Sequence, residues 1–318
     1  MAALKLVFCG TPRFAVPTLE ALLAAGHDIA LVVSQPDKPV GREQKLTAPP
    51  VKQIALAAGL AVTQPDKIRN NAEFRAQLEA IAPDAIVVVA YGRIIPPWML
   101  ELPRLGCINL HASLLPKYRG AAPIQWAVAM GETVTGNTTM LLEVGLDTGP
   151  ILLQQKLPIG AEQTAADLFD VLAISGAPLV VDTLAGLAGG SIKPQPQDHS
   201  LATLAPVLDR EDGRMDFALR TATELKNRWR GFQPWPGAFT ALGDKKLIVH
   251  KLQVAGPPVE NAANAAPGEI RTENHRLLVA CAHGTWLELL EVQLEGKKRL
   301  AAAEFLRGAQ LAHGARLG

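Results

Sequence analysis

Cysteine is scarce in this chain, and its few copies lie far from one another. The three cysteines, Cys9, Cys107 and Cys281, form no Cys-x-x-Cys pair. An odd number of widely spaced cysteines argues against a disulfide framework and against a cysteine-based zinc site. We therefore expect a protein that binds no metal and that works in a reducing compartment, the cytoplasm.

Long hydrophobic runs are missing as well. No apolar run approaches the ~18 residues that a membrane helix needs, so we expect no transmembrane segment and no membrane partner. The apolar start, residues 1–9, is too short for a secretory signal and predicts a buried first strand. With 48% hydrophobic and 19% charged residues in 318 positions, the composition is typical of a soluble globular protein. That length predicts about two domains.

A strong charge of either sign is absent, because the formal net charge is only +1. The charge is nevertheless uneven along the chain. Residues 1–206 hold 15 Lys+Arg against 17 Asp+Glu, a net −2, whereas residues 207–318 hold 16 against 13, a net +3. A mildly basic second half is compatible with a polyanionic partner but does not identify one. Nothing in the sequence suggests an oligomer, so we expect a monomer.

The first ~190 residues alternate between short apolar runs and amphipathic stretches. Runs at 4–9, 29–33, 85–90 and 107–110 predict buried strands, and the stretches between them predict helices. This alternation predicts an α/β domain with a doubly wound, mostly parallel sheet. The segment 34–49 has no periodicity and is unusually long for a connection of this kind, which favours a functional loop.

The pattern changes after a Gly, Pro, Gln and Ser-rich stretch. Beyond residue 208, short β-prone runs alternate with turn clusters, which predicts a small antiparallel barrel or sandwich. We therefore expect an α/β domain over residues 1–189, a linker over 190–207 and an all-β domain over 208–318.

The segment 107–120, CINLHASLLPKYRG, carries the clearest chemical signal. Asn109 and His111 lie two residues apart at the end of a predicted strand, so their side chains point to the same side. Together they could donate to one oxygen that becomes negative, as an oxyanion hole does. Taken alone, an Asn-x-His pair more often consists of an asparagine that caps a turn and a structural histidine.

A single acid follows in a glycine-flanked loop, VGLDTG. Asp147 could tune the protonation of His111 and relay a proton. An aspartate before a glycine is also common in ordinary turns, so the residue alone does not decide between these roles.

These motifs resemble those of the 10-formyltetrahydrofolate-dependent formyltransferases. The resemblance includes NLHASLLPKYRG and GLDTG, and it extends through most of the chain. Five further segments match in order, at residues 8–15 (FCGTPRFA), 35–42 (QPDKPVGR), 211–217 (EDGRMDF), 234–239 (PWPGAF) and 296–299 (GKKR). The sequence departs from the family's pattern at Pro150, Asn137 and Thr139, where a second acid and more apolar residues are expected.

The resemblance implies a Rossmann-like catalytic domain, an OB-like barrel domain that contacts tRNA, and 10-formyltetrahydrofolate as the formyl donor. It implies transfer of the formyl group to the α-amine of methionine on initiator methionyl-tRNA. By position in the motifs, Asn109, His111 and Asp147 are the implied catalytic residues. The implied folate-contacting residues are Ser113, Leu114, Leu115, Pro116, Tyr91, Gly92 and Ile94.

The RNA contacts rest on basic residues. The resemblance assigns the 34–49 loop to the tRNA acceptor end, with Arg42 as its strongest candidate. Phosphate-binding side chains are expected to be cationic, and the candidates are Arg42, Lys45, Lys38, Lys297, Lys298 and Arg299.

Three other functions remain open at this point. Glycinamide ribonucleotide formyltransferases are shorter, near 200 residues, whereas aminosugar nucleotide formyltransferases also have a second domain. A non-catalytic RNA-binding protein on the same scaffold is the alternative from a different class, and the intact Asn109, His111 and Asp147 argue against it.

Overall fold

The protein is described from a computed structural model, which describes residues 3–41, 43–258, 265–308, 311 and 314–318. The chain forms two compact units. The first comprises Met1–Pro123, Val134–Pro158 and Asp167–Pro206, and the second comprises Ile124–Thr133, Ile159–Ala166 and Val207–Gly318.

The helices and strands of residues 1–189 follow the alternation that the sequence predicts. In chain order they are β1 (Lys5–Gly10), α1 (Val16–Ala24), β2 (Asp28–Val33), β3 (Lys38–Val40), β4 (Lys45–Thr47), α2 (Pro50–Ala57), β5 (Val62–Thr63), α3 (Ala72–Ile81), β6 (Ala85–Val89), α4 (Pro97–Leu100), β7 (Cys107–His111), α5 (Pro123–Ala129), β8 (Val134–Leu141), β9 (Ile151–Pro158) and α6 (Ala165–Ala188).

Seven of these strands form one sheet with the order β5-β2-β1-β6-β7-β8-β9. The strands from β5 to β7 are parallel, and β8 and β9 run antiparallel at one edge. The chain moves outward from β1 in one direction through β2 and in the other through β6. Because ligands bind at such a switch point, outside the carboxyl ends of the strands, the fold directs attention to the ends of β1, β6 and β7.

Local sequence explains why the strands and helices end where they do. All five residues of β6, AIVVV, are buried, as expected for a central parallel strand. Helix α3 starts where the Asn71 side chain accepts a hydrogen bond from the Phe74 N–H, and it ends at Ala82, which has a left-handed conformation. The predicted doubly wound, mostly parallel sheet is therefore confirmed.

Helix α6 shows that the expectation about hydrophobic runs was wrong in one respect. Ala165–Ala188 is long and apolar enough to cross a membrane by length and composition, with a mean hydropathy of 1.8. Its contacts are those of a core helix, because Asn137 donates to the Leu172 carbonyl and Thr139 lies 2.7 Å from the Thr183 hydroxyl. Asn137 and Thr139, which depart from the family's pattern, thus bind α6 from one face of β8.

The second unit contains a sheet of the predicted antiparallel kind. Its elements are α7 (Ala222–Gly231), β10 (Phe239–Leu242), β11 (Lys245–Ala255), β12 (Ile270–Glu273), β13 (Arg276–Ala280), β14 (Trp286–Leu294), β15 (Leu300–Ala301) and α8 (Ala302–Gly308). The strand order is β10-β11-β14-β13-β12, and β15 pairs with β14. The sheet encloses a core that includes Leu247, Leu277 and Leu289, so a small half-barrel of β structure is confirmed.

The three cysteines lie inside these cores as free thiols. Burial raises the pKa of Cys107 and of Cys281 to about 12. Because only the thiolate reacts rapidly, we expect none of the three thiols to react with a disulfide reagent within minutes in the native protein at pH 7–8. Complete reaction of all three after unfolding in guanidinium is the control. Rapid reaction of a native thiol would contradict the burial described.

Candidate active site

The carboxyl end of β7 presents an amide and an imidazole on one face of the sheet. Asn109 and His111 alternate with Ile108 and Leu110, which point to the opposite face. On the neighbouring strand β8, Met140 lies opposite Asn109 and Thr138 lies opposite His111. His111 is buried and Asn109 is partly exposed. The strand therefore brings the two predicted residues together at the edge where ligands bind.

Both ring nitrogens of His111 have a defined environment. The Nε2 atom lies 2.9 Å from the carbonyl oxygen of Tyr118. A carbonyl can only accept, so this contact assigns the hydrogen of a neutral imidazole to Nε2. The Nδ1 atom lies 3.8 Å from Asp147 Oδ2, beyond a direct hydrogen bond. Nδ1 is therefore the atom that can gain or release a proton beside a carboxylate.

Asp147 is held by backbone geometry that only a few residue types permit. Its carboxylate Oδ2 accepts a 2.9 Å hydrogen bond from the Gly120 N–H, and its φ of +51° is left-handed. A Cβ atom at Gly149 would lie 1.9 Å from the Leu141 carbonyl oxygen, so only glycine allows the loop to close there. The GLDTG motif is thus a tight loop that brings one carboxylate to His111.

The Asn109 side chain has no hydrogen-bond partner within the described ranges of the chain. The neighbouring polar groups do have partners, since His111 contacts Tyr118 and Asp147 binds Gly120. A partly exposed amide with both hydrogens available is suited to bind an oxygen atom of a ligand. The structure therefore brings Asn109, His111 and Asp147 together and leaves the amide ready to donate.

The segment 113–116, predicted to contact folate, is fixed by a single threonine on β8. The Thr138 hydroxyl donates to the Ser113 carbonyl at 2.6 Å and accepts from the Leu115 N–H at 3.2 Å. Gln154 of β9 donates to the Leu115 carbonyl at 2.8 Å and to the Thr138 hydroxyl at 2.9 Å. Ser113 and Leu115 are buried, Leu114 is partly exposed, and Pro116 follows a cis peptide bond.

The loop after β6 presents its predicted residues in different ways. The Tyr91 side chain is buried in the core, and burial raises the pKa of its phenol. Its carbonyl oxygen accepts from the Thr11 hydroxyl and from Gln35 Nε2 at 2.9 Å, which joins the ends of β1, β2 and β6. Gly92 is exposed with a φ of +77°, and Ile94 is 92% exposed. Of these three residues, Ile94 offers an apolar side chain to a ligand.

The basic residues assigned to RNA lie in two places. Lys38 and Lys45 are exposed on strands β3 and β4, which pair antiparallel as a hairpin, with residues 38–40 against residues 45–47. At the base of the hairpin, hydrogen bonds from Gln64 and Lys52 lower the pKa of Asp37. Arg42 lies outside the described residues. In the second unit, Lys297, Lys298 and Arg299 are exposed on the turn between β14 and β15, and Arg299 is paired with Glu291.

Several other basic and aromatic residues of the second unit have structural contacts. Arg228 stacks over the rings of Trp126 and Phe232, at 5.7 Å and 4.8 Å from their centroids. Arg230 is buried and donates to the backbone carbonyls of Gly160 and Gln163. These two arginines therefore support packing and are not exposed for binding phosphate.

Four residues of the site were missed by the sequence reasoning. They are Thr138 and Gln154, which fix the 113–116 segment, Gln197, which contacts the Asp147 loop, and Arg119, which binds Gln197. Only Arg119 belongs to a motif that was singled out, and Gln197 lies in the stretch assigned to a linker. Within the described residues, no three His, Cys, Asp or Glu side chains lie together so that they could hold a metal ion.

Comparison with known proteins identifies the family to which the chain is similar. Residues 4–184 match the family model described as formyl transferase, and residues 207–310 match the formyl transferase C-terminal domain. The chain is 66% identical to a methionyl-tRNA formyltransferase of Acidobacterium capsulatum, over 99% of this chain and 100% of that protein. It is 60% identical to a methionyl-tRNA formyltransferase of Koribacter versatilis, over 95% of each chain.

Solved structures share the fold at much lower identity. A sugar 3N-formyl transferase, determined with dTDP and 5-N-formyl-THF, has a TM-score of 0.65 and 19% identity, covering 94% of this chain and 100% of its own. An N-formyltransferase from Helicobacter canadensis, in complex with folinic acid and dTDP-3-aminofucose, has the same TM-score and identity, covering 90% and 98%. At full length and high identity, the chain belongs to the formyl transferase family and, within it, to the methionyl-tRNA formyltransferases.

Proposed function

We propose that this enzyme transfers the formyl group of 10-formyltetrahydrofolate to the α-amine of methionine on initiator methionyl-tRNA. The observation that carries the proposal is the Asn109 amide, which has no hydrogen-bond partner among the described residues, beside the His111–Asp147 pair at the carboxyl end of β7. Relatives at 66% and 60% identity are named for this substrate, whereas the sugar formyltransferases match at 19%. The proposed formyl acceptor therefore rests on the names of the relatives, and the proposed chemistry rests on the residues of the site.

Asn109 would supply the fixed hydrogen-bond donor of the reaction. As the amine attacks the formyl carbon, the formyl oxygen becomes negative, and a preorganised donor stabilises that charge better than it stabilises the neutral carbonyl. His111 would donate to the same oxygen from Nδ1 when that atom carries a proton, because Nε2 already faces the Tyr118 carbonyl. No covalent bond between the enzyme and the formyl group is required.

Asp147 would hold and move the proton of the attacking amine. Its carboxylate lies 3.8 Å from His111 Nδ1, which is too far for a direct hydrogen bond but allows a bridging water to relay a proton between them. The amine loses one proton to the Asp147–His111 pair as its nitrogen bonds to the formyl carbon. The bond between the formyl carbon and N10 of the folate then breaks, and the proton passes to N10, so tetrahydrofolate leaves and the pair returns to its starting state.

The residues around this pair fit a folate. A flat, partly polar ring needs apolar surface and backbone hydrogen-bonding groups. Ile94, Val144 and Leu146 are exposed apolar side chains on the two loops that follow β6 and β8. The 113–116 segment is held by Thr138 and Gln154 before any ligand arrives, so its ordering costs little on binding. We propose Ser113, Leu114, Leu115, Pro116, Gly92 and Ile94 as the folate-contacting residues, with Tyr91 contributing only its backbone.

The test of the proposed function is transfer of labelled formyl from 10-formyltetrahydrofolate to a charged acceptor. Methionyl initiator tRNA is compared with methionyl elongator tRNA, free methionine and an aminosugar nucleotide. We expect formylation of the charged initiator tRNA only. Transfer to the sugar amine in place of the tRNA would retain the formyl chemistry and overturn the proposed acceptor. Absence of transfer to every acceptor would overturn the function itself.

Binding of tRNA is expected to depend on Lys38 and Lys45. A double change of Lys38 and Lys45 to alanine removes two exposed cations from the β3–β4 hairpin. We expect weaker binding of tRNA with an unchanged KM for the folate. Because each phosphate contact contributes about one unit or less to the slope of log K against log salt, the slope should fall by up to ~2.

A matched control for this pair is the double change of Lys193 and Lys156 to alanine, away from the hairpin. An unchanged salt slope in the hairpin variant would exclude Lys38 and Lys45 as phosphate contacts.

We further propose that Arg42, Lys297, Lys298 and Arg299 contact tRNA. The proposed domains are a catalytic domain over residues 1–189, a linker over 190–207 and a tRNA-binding domain over 208–318. We also propose that the protein works as a cytoplasmic monomer.

A further inference from the structure

The stretch that follows α6 packs along the segment that positions Asp147. The Arg119 N–H donates to the Thr203 carbonyl at 2.8 Å, and the Ala205 N–H donates to the Arg119 carbonyl at 2.7 Å. A further bond joins the Tyr118 N–H to the Thr203 hydroxyl at 2.9 Å. Residues 203–205 therefore run beside residues 118–120 within the first unit, as a bound arm.

Gln197 stands on this arm and connects two parts of the site. It is buried, and its Nε2 donates to the backbone carbonyls of Asp147 at 2.9 Å and Gly149 at 2.7 Å. Its Oε1 accepts from Arg119 Nε at 3.1 Å and from Arg119 Nη2 at 2.6 Å. Both hydrogens of the amide and both lone-pair directions of its oxygen are used, so the side chain has one orientation.

The same segment thus fixes Asp147 at two points. Gln197 holds the backbone at Asp147 and Gly149, and the N–H of Gly120, next to Arg119, holds the Asp147 carboxylate. Arg119 is itself buried, and its Nη2 also lies 3.1 Å from His199 Nδ1. A buried guanidinium and an amide that binds through both ends form a rigid connection, because each leaves a costly unsatisfied group if the other moves.

We infer that Gln197 is a positioning residue for catalysis, which sets the distance between Asp147 and His111 and is itself oriented by Arg119. The inference rests on the proposed function, since it concerns the proton transfer assigned to that pair. Only an amide meets both requirements of this position. A carboxylate can accept from Arg119 but cannot donate to the two carbonyls, and an apolar side chain of the same length can do neither.

The variant Gln197→Glu removes the two hydrogen bonds that the Gln197 side chain donates and leaves those that it accepts. It keeps the contact with Arg119 and places an acceptor against the carbonyls of Asp147 and Gly149. Displacement of a catalytic group by about 1 Å costs up to ~10²-fold in rate, so we expect kcat to fall by about 10–100-fold. The KM values for folate and tRNA should change by less than about threefold, because the inferred role concerns a group in proton transfer rather than in binding. Gln195→Glu is the matched control, since Gln195 is exposed on the same stretch.

A double-mutant cycle distinguishes positioning from general stability. In an Asp147→Asn background, Gln197→Glu should lower the remaining kcat by less than about threefold, because the residue acts through Asp147. Hydrogen exchange at residues 145–149 should be faster in Gln197→Glu and in the uncharged Gln197→Met than in Gln195→Glu. This readout needs no activity and applies equally to a weakly active variant.

The outcomes distinguish a positioning role of Gln197 from a purely structural one. A kcat for Gln197→Glu equal to that of Gln195→Glu, or the same fold-loss in both backgrounds, would overturn the inference while the wild type still transfers formyl. A fall in kcat that tracks a large fall in Tm, with unchanged exchange at residues 145–149, would also overturn it. Absence of formyl transfer by the wild type would remove the proposed function, and the inference with it.

Discussion

Replacing Asn109 by alanine is expected to lower kcat by about 10²–10³-fold while the KM for each substrate changes far less, as is typical when one donor of an oxyanion site is removed. The Asn109 amide makes no hydrogen bond within the described residues, so its removal leaves no protein group unsatisfied. It is partly exposed at the end of β7, and its loss opens no buried cavity. The fold should therefore survive, and Tm should stay within a few degrees of the wild type.

The measurement is the rate of a single turnover with charged initiator tRNA and saturating 10-formyltetrahydrofolate. Asn70→Ala is the control, because it makes the same change at an exposed position before α3. Asn109→Asp adds a further test. It keeps the size of the side chain and puts a negative charge beside the formyl oxygen, so it should be at least as slow as Asn109→Ala. A turnover near that of wild type in Asn109→Ala would show that the amide is not the donor.

The parallel sheet was readable from the sequence because its strands are buried on both faces. Runs such as AIVVVA match a strand that is buried on both faces, and the prolines in the first turns of α1 and α2, Pro17 and Pro50, mark the helices between such runs. Asn109 and His111 could be placed because the side chains of a strand alternate. Their position at the carboxyl edge then followed from the strand order. These steps depend on local pattern and on one general rule for open sheets.

The features that could not be predicted from the sequence depend mainly on contacts between segments that lie far apart in the chain. Gln197 lies 50 residues from Asp147, and nothing in a Pro, Gln and Ser-rich stretch shows that one glutamine is buried. The β3–β4 hairpin was missed because its strands have only three residues each and β3 includes a proline. Helix α7 was missed for another reason. The helix is mainly polar. The capping box of Thr221 and Glu224 at its start indicates a helix N-terminus but was overlooked in the sequence.

The family motifs and the contacts of individual residues gave different information about the site. The motifs identified the family, which the matches over residues 4–184 and 207–310 confirm. They did not show how His111 is oriented, since its contact with Tyr118 depends on the turn of the KYRG segment. They also suggested Tyr91 as a ligand contact, whereas its side chain is buried in the core. The motifs therefore identified candidate residues, but they did not identify the atoms through which those residues act.

The Asp147 carboxylate is the other group whose replacement should have a large effect. Asp147→Asn is isosteric, and its amide oxygen can still accept the hydrogen bond from the Gly120 N–H. The variant therefore removes the negative charge opposite His111 Nδ1, 3.8 Å away, and leaves the loop in place. General acid–base groups contribute about 10²–10⁴ in rate, so kcat should fall by that factor. Folate and tRNA affinity should change little.

The control for this charge removal is Glu143→Gln, which deletes an exposed carboxylate from the same loop. Its kcat should remain within about twofold of wild type if proximity of an acid, rather than the loop's net charge, matters. His111→Asn in both backgrounds completes the argument. If Asp147 acts on the proton at Nδ1, its loss should cost much less once the imidazole is gone. Equal losses with and without His111 would separate the two residues and assign Asp147 to the amine directly, while full activity of Asp147→Asn would exclude it from proton transfer.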